Sequence, residues 1–280
     1  MAAALAACNG GAVTSPPDSG TPPSSTTSFA GFDIGVYPGD AAMRAWMRPS
    51  SPYFWVGYYL AAPCHRDTTF TGKYTTLTAM GWGVTAIYVG QQDWTQIPTP
   101  PPKQPARASI ASSAAVCSAS LLSVNQGLIE AADAVQKMNA DNFLTSSTVF
   151  LDVEFVTTVT PALLDYYRAW IRGVLTDGRY IPGVYAAKSN ATTLYNAAVA
   201  EYRAAGRSDT PPFWIASSAG FSTAAHPTDV GLDFATAWQG MFDVKQSFGG
   251  VTLTIDVNVA SSKSPSAPQI LASTRNAAGT

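Results

Sequence analysis

Val149-Phe150-Leu151-Asp152-Val153-Glu154-Phe155 is a run of apolar, β-favouring residues carrying two carboxylates two positions apart. A continuous apolar run of this length reads as a buried strand. Residues i and i+2 of a strand share a face about 6.5–7 Å apart, so Asp152 and Glu154 look the same way among apolar neighbours. Two carboxyls so placed, when partly desolvated, hold different pKa values and divide acid and base roles. Taken alone, the stretch is equally a strand end with two solvated acids. The flanking chain weighs between the two.

Upstream, Gly31–Tyr37, Phe54–Leu60 and Val84–Val89 read as three strands, with short helices after the first (Ala41–Met47) and second (Lys73–Met80). A long irregular section centred on Thr99-Pro100-Pro101-Pro102 follows; loops of that length inside a domain are functional or disordered. Ser123–Ala140 is helical, with Leu128, Ala132, Val135 and Met138 near 3.6-residue spacing. It feeds the strand quoted first.

Downstream, Thr160 caps a helix, Pro161 suits its first turn and Gly178 stops it. Leu163, Leu164, Tyr167, Trp170, Ile171, Val174 and Leu175 form its apolar face. Pro182–Ala186 is strand five, Ser189–Ala205 a helix and Pro212–Ser217 strand six. Then the pattern thins. Strand seven, Ala235–Gln239, has no obvious helix before it, and Gly249-Gly250 marks a hairpin into strand eight, Val251–Val257. Eight strands, most followed by helices, give an α/β fold: a modified TIM-type β/α barrel with helices reduced in the last third. A doubly wound sheet is the competitor, but no Gly-rich dinucleotide turn follows any strand.

In such barrels the chemistry sits on residues ending strands at the C-terminal mouth. Here the strand ends carry Asp33, Tyr58, Asp152, Glu154, Tyr185, Trp214, Gln239 and Asp256. Aromatic faces stack on sugar rings and carboxylates accept hydroxyl hydrogen bonds, so this set suits a carbohydrate. Core packing is the plainer fate for Tyr58, Tyr185, Trp214 and Trp238. The same acids are hard oxygen ligands, leaving a divalent cation as a third use.

Composition narrows the field. The 280 residues are 46% hydrophobic and 12% charged, with a formal net charge of −2 and no basic run, which argues against nucleic acid. No apolar stretch approaches a membrane span. With three cysteines and two histidines, there is no zinc motif, nucleophile elbow or P-loop, and no cofactor is expected. Leu5-Ala6-Ala7-Cys8 has the form of a lipobox, although the basic and long apolar regions of a signal do not precede it. Residues 9–28 are a Gly, Ser, Thr and Pro-rich tether. The plan is thus a truncated lipoprotein signal (1–8), a flexible tether (9–28), a barrel (29–262) and a tail (263–280). It describes an exported, envelope-facing or secreted lipoprotein, with Cys8 as lipidation site and membrane contact only through that lipid. Cys64 and Cys117 either pair in an oxidising compartment or stay separate buried thiols.

These pieces together resemble the family-25 glycoside hydrolases, lysozymes of modified β/α-barrel fold. They more closely resemble the bacterial glycoside-hydrolase-like proteins (domain of unknown function 1906). The matching segments, in order, are Gly31-Phe32-Asp33, Asp152-Val153-Glu154, Gly183-Val184-Tyr185, Trp214-Ile215-Ala216-Ser217, Trp238-Gln239 and Ile255-Asp256-Val257-Asn258. The likeness spans roughly residues 30–260, and the segment between Gln91 and Ser113 is longer than the lysozymes' usual connection. It implies Glu154 as general acid, with Asp152, Asp33 and Asp256 stabilising positive charge at the sugar carbon or orienting an N-acetyl group. Tyr37, Tyr58, Tyr185, Trp214, Trp238 and Gln239 are the expected substrate-binding residues. The expected function is hydrolysis of peptidoglycan or another N-acetylhexosamine glycan. The alternative is a catalytically silent carbohydrate-binding, envelope-organising protein.

Overall fold

The computed structural model describes residues 27–96, 116–154 and 156–268. Cys8, almost all of the tether, the proline-rich centre of the long connection and most of the C-terminal tail lie outside them. Eight strands close into one barrel in chain order: β1 Phe29–Asp33, β2 Trp55–Tyr59, β3 Gly83–Val89, β4 Thr148–Val153, β5 Ile181–Ala187, β6 Phe213–Ala216, β7 Ala235–Phe248 and β8 Val251–Ala260. Among the described residues five α-helices lie around it: α1 Asp40–Ala45, α2 Tyr74–Met80, α3 Val124–Ala140, α4 Pro161–Asp177 and α5 Lys188–Ala204. Between β6 and β7 a 3₁₀ turn, Pro227–Val230, stands where a helix would, so the last third is reduced as expected.

The barrel is not parallel throughout. Strands β1 to β7 run parallel, but β8 is antiparallel to both β7 and β1. The cause is the Gly249-Gly250 turn: with φ of 56° and 77°, the chain reverses at once, and a hairpin can only return an antiparallel strand. Both hairpin strands project past the barrel rim and fold outward. Phe248 packs edge-on against Trp46, Trp46 Nε1 donates to Val251 O, and Tyr53 OH donates to Gln246. These groups also surround Phe32, which points outward from β1. The hairpin thereby covers apolar surface that a helix covers elsewhere.

Helix α4 begins and ends where expected: Thr160 Oγ1 accepts from Leu163 N–H, and Gly178 closes it in the left-handed conformation. Helix α3 departs from the expected face. Leu128 and Ala132 are exposed, and the buried stripe is Gly127, Glu130, Ala131, Ala134, Val135 and Met138. A Cβ on Gly127 would stand 2.4 Å from Tyr166 O, and one on Gly173 would stand 2.6 Å from Ala131 Cβ. Close backbone approach through small residues, rather than a large apolar side chain, decides which side of α3 faces α4. Cys64 and Cys117 form a disulfide that ties the connection after β2 to the chain entering α3.

Inside the barrel, Trp55, Phe150 and Trp214 interlock edge-to-face at 5.6 and 5.9 Å between ring centroids. They fill the interior below the mouth with apolar volume. The layer above them is polar.

Candidate active site

That upper layer is assembled by strand parity. Asp33 on β1 pairs with Asp256 on β8, Asp152 on β4 with Tyr185 on β5, and Gln239 on β7 with Asn258 on β8. Each pair lies at one level of the closed sheet. A cavity of about 90 Å³ at this level is lined by all four acids, Asp33, Asp152, Glu154 and Asp256, with Tyr59, Tyr185, Trp214, Gln239 and Phe242 among its walls. Chain order separates Asp33 from Asp256 by most of the domain, and the antiparallel seam brings them together.

Asp33 is 4% exposed and collects three donors. Tyr59 OH reaches Oδ2 (2.8 Å), while Asn258 Nδ2 (2.8 Å) and Gln239 Nε2 (2.9 Å) reach Oδ1. The same Gln239 amide nitrogen donates to Asp256 Oδ2 at 3.1 Å, and Asp243 N–H donates to Asp256 Oδ1 at 2.7 Å. One amide therefore bridges two carboxyls. Burial pushes Asp33 up to about 6, against the pull of its three hydrogen bonds. Burial, with the charge of Asp33 second, pushes Asp256 up to about 8. At neutral pH the proton shared by the pair rests on Asp256, while the anion rests on Asp33, which is the more deeply buried but accepts from three donors. Burial and the surrounding carboxylates hold the Tyr59 and Tyr185 hydroxyls well above the ordinary phenol range, so both are neutral donors.

Glu154 lies one residue beyond β4, half-buried at the rim. Its backbone is fixed by Gln92, whose Nε2 donates to Asp152 O (2.7 Å) and whose Oε1 accepts from Glu154 N–H (3.1 Å). Strand β3 has ended at Val89, opposite Asp152, so a side-chain amide continues the ladder that the backbone has left. Its neighbour Gln91 is anchored in turn by Glu130, Val116 O and Ser118 N–H. Tyr166 OH also donates to Glu130.

Three expected binding residues lie elsewhere. Tyr58 points outward, wholly buried, and its hydroxyl donates to Asp141 at 2.8 Å. The inward residue is its neighbour Tyr59, because β2 keeps period two from Trp55 through Gly57. A Cβ on Gly57 would sit 2.5 Å from Asp33 Cβ. Trp238 also faces outward, donating to Ser217 O and packing edge-on with Phe221. Tyr37 packs against Phe70 and donates to Asp40. Of the remaining binding residues, Gln239 is the carboxyl bridge, Tyr185 OH donates to Gln239, and Trp214 is a buried floor whose Nε1 donates to Asn258. Tyr59, Gln92, Asn258 and Phe242 went unassigned from sequence. Asn258 stood inside a matched segment, and Tyr59 was within reach of parity counted from Asp33. No sequence signal marks Gln92 or Phe242.

A larger groove, about 490 Å³, opens between the connection after β2 and α3, beside Arg66 and Lys137. It contains none of the converging acids, and its Asp133 is paired with Lys137. The four acids line the smaller cavity. Among the described residues no group of three or more His, Cys, Asp or Glu is arranged to hold a metal ion, and no helix is long and apolar enough to cross a membrane.

A family model described as Rv2525c-like, glycoside hydrolase-like domain matches residues 44–260. No curated protein matches the chain in sequence. Among solved structures, an uncharacterized B. stearothermophilus protein superposes with a TM-score of 0.55 at 16% identity, over 83% of this chain and 95% of its own. The modular autolysin LytC from Streptococcus pneumoniae gives 0.52 at 11% identity, over 83% of this chain and 46% of its own. LytC in complex with a synthetic peptidoglycan ligand gives 0.51. At such identities the likeness is one of fold, and the chain spans under half of the autolysin.

Proposed function

The chain belongs to the Rv2525c-like, glycoside hydrolase-like family, and from that premise we propose that it cleaves an N-acetylhexosamine glycan of the peptidoglycan type, with Glu154 as general acid. The observation that carries this reading is the convergence of Asp33, Asp152, Glu154 and Asp256 on one cavity with aromatic walls. Glu154 lies half-buried one residue beyond β4, on a backbone held by Gln92, where a glycosidic oxygen can approach. Asp33 supplies a buried, hydrogen-bonded anion for the positive charge that develops at the sugar carbon. Protonated Asp256 is a donor suited to an acetamide oxygen. Asp152 stands beside them on β4. The LytC complex with a peptidoglycan ligand supports the choice of substrate class.

We read the chain as exported and lipid-anchored at Cys8. The disulfide supports an oxidising compartment, and the tether lets the barrel reach the wall.

The test is release of soluble muropeptides from purified cell wall, followed by mass spectrometry. Wild type releases them, and Glu154→Gln loses roughly 10²–10⁴-fold in rate while melting normally. The small cavity, below the roughly 300 Å³ usual for a ligand pocket, favours one second reading: a glycan-binding protein without turnover. Equal inactivity of wild type and Glu154→Gln, with glycan binding intact in both, selects that reading.

A further inference from the structure

We propose that Phe242 is the platform on which the apolar face of the bound sugar stacks, held over the acids by the irregular backbone of Met241–Val244. This rests on the glycan reading above and adds to it the residue that orients the sugar ring.

Four aromatic rings line the cavity, and three are committed to other work. Tyr59 is tied to Asp33 through its hydroxyl, and its ring lies against His65. Tyr185 is tied to Gln239 and meets Trp214 edge-on at 5.3 Å. Trp214 itself is 1% exposed, with no open face. Phe242 differs on every count. It is 38% exposed and belongs to neither hydrophobic core cluster. A ring that contributes nothing to the core and borders a polar cavity is placed for a ligand with an apolar face.

The backbone explains how it comes to face the cavity. The β7–β8 ladder shifts register between Gln239 and Met241, and again between Met241 and Val244. Asp243 takes φ of 52°, a conformation uncommon outside glycine but tolerated by Asp. Its amide is fixed on Asp256 Oδ1 at 2.7 Å. Bulges of this kind re-aim side chains beside active sites. Here the irregularity breaks strict alternation, so Met241 and Phe242 are both exposed. The same turn that presents the ring is thus bonded to an acid below it, which sets the height of the sugar above the carboxyls. Gly240 allows the approach, since a Cβ there would enter the Phe221 ring.

The experiment is calorimetric titration of a β-1,4-linked N-acetylglucosamine tetramer into the full chain, in a Glu154→Gln background that prevents turnover. Phe242→Leu keeps the apolar volume without the π face, and Phe242→Ala removes both. Each is expected to weaken binding about tenfold, with Phe242→Tyr within about twofold of the parent and Met241→Ala unchanged. If the parent binds and Phe242→Leu binds equally well, the platform is overturned and the glycan reading stands. If the parent binds no saccharide, the glycan reading fails and the platform falls with it. A loss shared by Met241→Ala would assign the effect to the hairpin and also overturn the role of the ring.

Discussion

Asp256 and Asp33 meet across the seam where β8 runs against β1, and folding has to keep a proton between them. Because the native pKa values, about 6 and about 8, lie above the ordinary carboxylate value, the native state binds more protons than the unfolded chain through that window. The stability contributed by this pair therefore falls as pH rises from about 4 to about 8, and that contribution is flat below. Asp256→Asn removes the larger share. Its melting temperature should exceed that of wild type by roughly 5 °C at pH 8.5 and match it near pH 4. Equal melting at both values would show that Asp256 is not buried as a proton-bearing group. This paired chemistry was only partly legible in the sequence. The acids were visible as residues ending strands. Which tyrosine faced them was not, because moving the last inward position of β2 by one exchanges Tyr58 for Tyr59. Gly57 settles the parity, through its contact with Asp33.

Strand β4 and the connection after β3 act together at the scale of elements. Gln92 replaces a backbone rung, so Glu154 is held by a side chain from a loop whose neighbouring residue, Gln91, is anchored by buried Glu130 on α3. Gln92→Ala leaves two backbone groups of the Asp152–Glu154 segment without that partner and frees the segment to shift. Displacement of a catalytic group by about 1 Å costs on the order of 10²-fold. The expected result is a fall of that order in kcat on soluble glycan with KM little changed, while Gln92→Glu, which keeps one of the two bonds, falls between. A rise in KM alone would show that Gln92 serves binding instead. Nothing in the sequence announced this clamp, since a single glutamine in an irregular stretch has no periodicity to reveal it. Helices with strong caps were legible, as α4 shows. On helix α3 the spacing placed Val135 and Met138 correctly but not Leu128 and Ala132, because the rest of the buried stripe is Gly127, Glu130, Ala131 and Ala134, which hydrophobic spacing weighs lightly.

The molecule as a whole closes with a hairpin where a parallel barrel would use a helix. That choice follows from two adjacent glycines, and it does two jobs. It brings Asp256 to the mouth on a strand running the opposite way, and it wraps Phe248 over Trp46 and Tyr53 outside β1. Trp46 is fully buried there, so Trp46→Ala should cost roughly 3–5 kcal/mol, read as a lower urea midpoint. An unchanged midpoint would mean that the hairpin does not seal the barrel. The order of strands and the thinning of helices were readable from turns and spacing. The antiparallel seam was implicit in the Gly249-Gly250 turn, but its consequence for Asp256 needed three dimensions.

The central claim is that the four acids form a saccharide site. Its most direct test is a crystal structure of Glu154→Gln soaked with the N-acetylglucosamine tetramer. The account predicts a glycosidic oxygen within hydrogen-bonding distance of the side chain at position 154, with Asp33 and Asp256 beneath the same sugar. Density for the tetramer in the larger groove beside Arg66 and Lys137, with the acidic cavity holding only water, would contradict it.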